Sequence, residues 1–227
     1  MSEKKAQDKW AQFYKHKRLQ NYPKYPNETV LKLFFGNYLK DKPVCKRGQK
    51  LLDVGCGFGQ NFGPFLDKGL KCYGVEIDAS ICEFTNRIFA EQGLAVDVRS
   101  GHNRELPFED AVFDFVLSIN AIHYEPDETS MRAAIAEHAR VLKPGGKFFI
   151  MTVGPEHTIY KRAKCLGDHR YEISDFDFRD GSVYFYFDNV KYLEHYLRPH
   201  FSAIETGRVT EDLMQVPLDF LIAVATK

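Results

Sequence analysis

The sequence lacks the features that mark several large classes of protein. Its five cysteines, at positions 45, 56, 72, 82 and 165, form no CxxC pair and no zinc-finger spacing. That excludes a Cys-based metal framework, predicts no metal, and points to reduced thiols in a cytoplasmic setting. The longest apolar runs, FFIM and LIAVA, fall far short of the roughly 20 residues that a membrane-spanning helix needs. The stretch MSEKKAQDKW has no apolar segment, so no secretory leader is expected. Repeats, low-complexity tracts and Pro/Ser-rich linkers are absent, so 227 residues read as one domain over 46–227 with an N-terminal helical extension, a lid, over 1–45. Net charge is absent as well, with 31 basic and 31 acidic residues, but its distribution is uneven: residues 1–50 carry thirteen Lys/Arg against four Asp/Glu. That excess reads either as a solvated helix face or as an attraction for an anionic partner.

Within the extension, Trp10, Phe13, Tyr14 and Lys17 recur at helical spacing, and two prolines in NYPKYPNE end the run. Asn27 is placed to cap a second helix carrying Val30, Leu31, Phe34, Phe35, Tyr38 and Leu39. From residue 50 the pattern is strand, helix, strand: strands are expected at 50–54, 71–76, 95–100, 113–119 and 146–153, with helices at 79–92 and 129–142. This alternation predicts a mostly parallel sheet covered on both faces. LKPGG, at 142–146, is a helix stop. FDFRDGSVYFYFD, at 176–188, reads as a hairpin turning at Asp180–Gly181. A helix near 188–198 precedes strands at 201–209 and 218–226, whose short link requires antiparallel pairing.

The stretch LLDVGCGFGQNFG, at 51–63, follows an apolar strand with closely spaced glycines. Gly55 permits a tight turn, and Gly57 and Gly59 let backbone approach a ligand. Glu76 ends the next strand at the offset expected of a carboxylate that accepts from ribose hydroxyls. Position 60 is Gln, so the dinucleotide pattern G-x-G-x-x-G fails and an NAD oxidoreductase is a distant alternative; no Gly-Lys-Ser/Thr follows, so a P-loop fails too.

Asp53-Val-Gly-Cys-Gly-Phe-Gly59 resembles motif I of the class I S-adenosylmethionine-dependent methyltransferases. GVEID (74–78), ELPFEDAVFDFVLSIN (105–120) and VLKPGGKFFI (141–150) resemble three further segments of that family in the same order, most closely its type-11-like, small-molecule branch. The resemblance implies a Rossmann-like α/β fold: seven strands in the order 3-2-1-4-5-7-6, strand 7 antiparallel, helices on both faces, and a β-hairpin insertion after strand 5 at about 155–187.

It also implies roles. Backbone from Gly55 through Cys56 and Gly57 to Gly59 would line the methionine and ribose parts of S-adenosylmethionine, Asp53 would organise the loop, Glu76 would hold the ribose, and Ile77 would lie against adenine. Relatives commonly carry an acidic residue where this chain has His102; a neutral His102 or the amide oxygen of Asn103 would then accept from the adenine amino group. Asn120 ends strand 4 at the edge where open α/β sheets bind ligands, facing the cofactor. His123 and Tyr124 follow as candidate catalytic residues, His123 as a base for a weakly acidic hydroxyl. Tyr14 and the turn Tyr22-Pro-Lys-Tyr25-Pro would cover the cofactor. Seven aromatics over 171–187 read equally as a pocket wall or as cement for the insertion, with a dimer interface as a third role.

The implied reaction is methyl transfer to O or N of a small, anionic acceptor, with S-adenosylhomocysteine as product. Absence of [DN]-P-P-[YF] after strand 4 disfavours exocyclic-amine methylation of that kind. An RNA or polyanion methyltransferase is the alternative enzyme, disfavoured because no RNA-binding module accompanies the basic segment. A catalytically inactive cofactor-binding protein is the alternative outside enzymes. Monomer and homodimer stay open.

Overall fold

Side chains that alternate along each central strand separate into two apolar layers, and this alternation determines where everything else packs. In the computed structural model, which describes residues 3–19, 24–214 and 216–227, the sheet is built from β1 (Lys50–Val54), β2 (Lys71–Glu76), β3 (Val96–Ser100), β4 (Phe113–Ile119), β5 (Leu142–Val153), β9 (Ala203–Leu213) and β10 (Val216–Thr226). Their order is β3-β2-β1-β4-β5-β10-β9. The first five are parallel, and β10 runs antiparallel to β5 and β9. This is the expected seven-stranded arrangement, with β10 and β9 in the places of strands 7 and 6. The β9–β10 link is tighter than the sequence predicts, because Met214 adopts a left-handed conformation, φ 60°.

On one face Leu52, Val54, Val116, Phe148 and Ile150 pack against Met131 and Ile135 of α5 (Glu128–Val141) and Leu193 and Leu197 of α6 (Val190–Leu197). On the other, Leu51, Phe115, Leu117 and Phe149 meet α2 (Glu28–Phe35), α3 (Gly63–Asp67) and α4 (Ala79–Glu91). Asn27 caps α2 as expected, accepting from Thr29 N at 2.9 Å and Val30 N at 3.4 Å. The helix ends earlier than its apolar pattern implies, at Phe35. Gly36 turns out into extended backbone, and Tyr38, beyond it, is exposed. The helix stop at LKPGG has a second effect: β5 already starts at Leu142, and the Pro-Gly-Gly segment shifts its register on β4, from Phe113↔Leu142 to Phe115↔Lys147.

The insertion differs from the expected hairpin. It is a three-stranded antiparallel sheet of β6 (Lys164–Gly167), β7 (Arg170–Glu172) and β8 (Val183–Phe185). Residues 176–182, read from their alternating aromatics as the hairpin's first strand and turn, form a coiled loop instead. Asp180 Oδ1 accepts from the Phe176 and Asp177 amides at 2.9 and 3.3 Å, and Arg179 pairs with the Asp177 carboxylate. Such local side-chain bonds compete directly with strand pairing.

Phe34, 1% exposed, stacks on Phe149 at 4.0 Å and meets Phe65 edge-on at 4.7 Å. Phe34→Ala is expected to cost about 3–5 kcal/mol, read as a lowered midpoint in urea unfolding with an unchanged slope.

Candidate active site

Where β1 ends, the chain enters a loop that only glycine fits. Gly55 has φ 77°, and a Cβ there would lie 2.6 Å from that of Ala121. At Gly57, φ 54°, the backbone amide donates to Glu76 Oε1 at 3.0 Å. The other carboxylate oxygen, Oε2, accepts from Ile77 N at 2.9 Å. Glu76 is buried; burial raises its carboxyl above the usual range, while these two N–H donors pull it back down. Beneath the loop, Asp53 is 1% exposed and accepts from Asn61 Nδ2 at 2.9 Å, and Asn61 Oδ1 accepts from Asn27 N at 3.0 Å. Burial pushes Asp53 up to about 7, against the Asn61 hydrogen bond. Asn61 thus ties the glycine loop to the start of α2, a link that no motif marks. Thr85 of α4 adds a hydrogen bond to Gly57 O at 3.0 Å. Cys56 is buried and its thiol is pushed up by that burial, so it stays protonated.

A cavity of about 200 Å³ opens above this loop at the carboxyl ends of β1, β2 and β4. Tyr14, Gly55, Glu76, Ile77, His102, Asn103, Asn120 and Tyr124 line it, together with Trp10, Arg104, Glu125, Ser182 and Tyr184. Asp53, Cys56, Gly57 and Gly59 are not lining residues: the last three belong to the loop itself, and Asp53 lies in the strand that leads into it. Tyr25 is 87% exposed and does not line the cavity. Tyr22, the other tyrosine of that turn, lies outside the described residues, as does the side chain of Lys17 in the α1 stripe.

His123 requires a correction. The 3-10 turn Ile122–Tyr124 aims its ring inward, where it is 2% exposed, 5.3 Å from the Tyr184 ring and 3.4 Å from Thr152 Oγ1. It does not line the cavity, and burial, helped by the Arg179 charge, lowers its pKa to about 3. So weak and enclosed a ring is unsuited to be the base expected of it. Tyr124 does face the cavity, with its hydroxyl pushed up to about 12 by burial. Asn120 holds a left-handed backbone, φ 56°, and its Oδ1 is buried with no hydrogen-bond partner among the described residues. Strain and an orphaned acceptor together, at a cavity wall, are features that a ligand relieves.

The roof comes from two distant segments. In α1 (Glu3–Leu19), Trp10 meets Tyr124 at 5.1 Å and Phe178 at 4.9 Å, and Phe13 stacks on Phe178 at 4.2 Å. Lys9 Nζ donates to Asp180 O. Tyr14 lies edge-on to Phe58 at 5.0 Å and its hydroxyl donates to Glu76. The insertion's aromatics divide by role: Tyr184 lines the cavity, Phe178 holds the lid, and Phe185 and Phe187 pack on Tyr196 of α6.

Two cavity residues carry no sequence motif. Glu125, 1% exposed, has Arg104 Nε 3.0 Å from its Oε2, and its Oε1 accepts from Asn103 Nδ2 at 3.1 Å. The adjacent charges in NRE (103–105) and YEP (124–126) flank the motif segments, but nothing in their spacing announces the pair. Among the described residues no group of three His, Cys, Asp or Glu is placed to hold a metal, and no helix is long and apolar enough to cross a membrane.

The chemistry of these walls fits an adenosyl nucleoside carrying a polar tail. Glu76 offers an acidic acceptor for a ribose diol, Ile77 an apolar face for a base, and Gly55 a part of the wall without a side chain.

Comparison with known proteins agrees. Residues 52–150 match the family described as "Methyltransferase domain". The chain is 36% identical over 110 residues to a probable tocopherol O-methyltransferase of Oryza sativa, covering 47% of this chain and 30% of that protein. It is 36% identical over 147 residues to a sterol 4-C-methyltransferase of Caenorhabditis elegans, covering 54% of this chain and 43% of that one. The chain therefore spans less than half the length of these curated relatives. Its fold matches the Burkholderia thailandensis 1,6-didemethyltoxoflavin-N1-methyltransferase, solved with that compound and S-adenosylhomocysteine bound, at a TM-score of 0.69 and 20% identity, over 98% of this chain and 87% of that one. Residues 52–150 thus match a methyltransferase domain, and with the strand order and the glycine loop this match is consistent with a class I, type-11-like methyltransferase.

Proposed function

We propose that this chain transfers a methyl group from S-adenosylmethionine to oxygen or nitrogen of a small molecule, leaving S-adenosylhomocysteine. The observation that carries this reading is the buried Glu76 carboxylate, fixed by two backbone amides at the floor of a cavity roofed by aromatic side chains. When bound, S-adenosylmethionine supplies a methyl group that is already electrophilic on its sulfonium. The protein's part is then mainly positioning and exclusion of water. Glu76 holds the ribose hydroxyls, and Ile77 and Asn103 flank the adenine. Asn120 Oδ1 accepts from a polar group of the cofactor tail. Trp10, Tyr124 and Tyr184 hold an acceptor and keep water out.

The roof made by α1 and the insertion supports an acceptor of small size over a polymer. The relatives named above act, by their descriptions, on tocopherol, a sterol and didemethyltoxoflavin, all small molecules. The basic excess over residues 1–50 supports an acceptor with negative charge, and five free cysteines support a reducing, cytoplasmic setting. With His123 turned inward, a nitrogen lone pair or an already ionised oxygen suits the site better than an alcohol, since neither needs a base.

Glu76→Ala is expected to weaken S-adenosylhomocysteine binding about 100-fold or more, because it removes a charged acceptor and the anchor of the Gly57 amide together. Calorimetry on the variant, with its melting temperature as the folding control, checks this; undiminished affinity contradicts the assignment. His123 stays neutral throughout pH 5–9, its pKa having moved down rather than up. His123→Gln is therefore expected to leave the shape of the kcat/KM pH profile unchanged, with no limb near 6.5 lost, whereas a base at this position would remove one.

A further inference from the structure

We propose that Glu125 is a positioning residue that decides which end of the Asn103 amide meets the adenine, so that the cavity selects an exocyclic amine over a carbonyl; this rests on the cofactor reading above. Both residues line the cavity. Asn103 Nδ2 lies 3.1 Å from Glu125 Oε1 and 3.4 Å from Ala121 O. Both neighbours are oxygens that only accept, and a reversed amide would set a third oxygen against them. The NH₂ group is therefore committed to Glu125 and Ala121, and Oδ1, an acceptor, is the end turned away from them.

Glu125 is itself well held. Arg104 Nε is 3.0 Å from its Oε2, an ion pair that holds the carboxylate in place. Its main-chain oxygen accepts from Phe185 N at 2.9 Å, which ties the same residue to β8 of the insertion. An adenine amino group donates to an acceptor placed in this way. Hypoxanthine carries a carbonyl at that ring position and would oppose it with a second acceptor. The chain thus obtains from an oriented amide the acceptor that its His102 does not supply as a carboxylate.

The test is a titration of the full chain with S-adenosylhomocysteine and S-inosylhomocysteine. The wild type is expected to bind the inosyl compound at least about tenfold more weakly. In Glu125→Gln, Arg104 takes the amide oxygen and turns the new NH₂ toward Asn103, which reverses; the ratio is expected to fall to within about threefold. Glu125→Met, similar in shape and without an acceptor for Asn103, is expected to do the same, so the test survives if one variant folds poorly. Asn103→Ala, which leaves the Arg104–Glu125 pair intact, also loses the discrimination. Melting temperatures separate these effects from unfolding, which would lower both affinities together and leave their ratio unchanged. A wild type without preference, or Glu125 variants that keep the wild-type ratio, overturns the proposal while leaving the cofactor reading intact. Failure of the wild type to bind S-adenosylhomocysteine removes that reading, and this proposal with it.

Discussion

The pair of hydrogen bonds from Gly57 N and Ile77 N into the Glu76 carboxylate is the constraint around which the site is organised. It adds to the backbone bonds from Gly55 N and Cys56 N to Val75 O, which already join the loop after β1 to the end of β2. A buried carboxylate without donors would be expelled or neutralised. Here the donors come from backbone, and the left-handed φ of Gly55 and Gly57 is what aims that backbone. The remaining lone pairs of Glu76 face the cavity, where the Tyr14 hydroxyl takes one of them. The carboxylate is thus at once part of the fold and the site's acceptor for hydroxyl donors.

Around that fixed floor, the walls are assembled from parts of the chain far apart in sequence. Phe178, in a loop coiled by Asp177, Arg179 and Asp180, packs against Trp10 and Phe13 of α1. Helix α1 and the insertion therefore meet over the cavity, and both lie outside residues 52–150, the part matched to the family. Relatives described as acting on quite different molecules match about half of this chain, 47% and 54% of it.

Much of this was legible in the sequence, for identifiable reasons. Strand boundaries at 50–54, 71–76 and 113–119 agree with the structure because apolar runs buried on both faces are bounded by sharp polar breaks. Gly55 and Glu76, expected from loop chemistry and spacing, and Asn103, expected from the family resemblance, all line the cavity. What escaped depends on direction or on distant pairing. The 3-10 turn after β4 presents Tyr124 to the cavity and His123 to the core, and periodicity does not distinguish the two across three residues. The alternating aromatics of 176–178 imitate a strand, while aspartates two to four residues away coil the same segment. The Arg104–Glu125 pair joins two loops across 21 positions, and Asn61 reaches both Asp53 and Asn27; neither leaves a local signature.

The central claim is that the cavity above Glu76 is built for an S-adenosyl nucleoside. The most direct measurement is calorimetric titration of the wild-type chain with S-adenosylhomocysteine and, separately, with NADH. The account predicts saturable one-to-one binding of S-adenosylhomocysteine in the micromolar range and no binding heat from NADH. NADH binding with silence from S-adenosylhomocysteine would contradict it, and would mean that the glycine loop and Glu76 serve a different nucleotide.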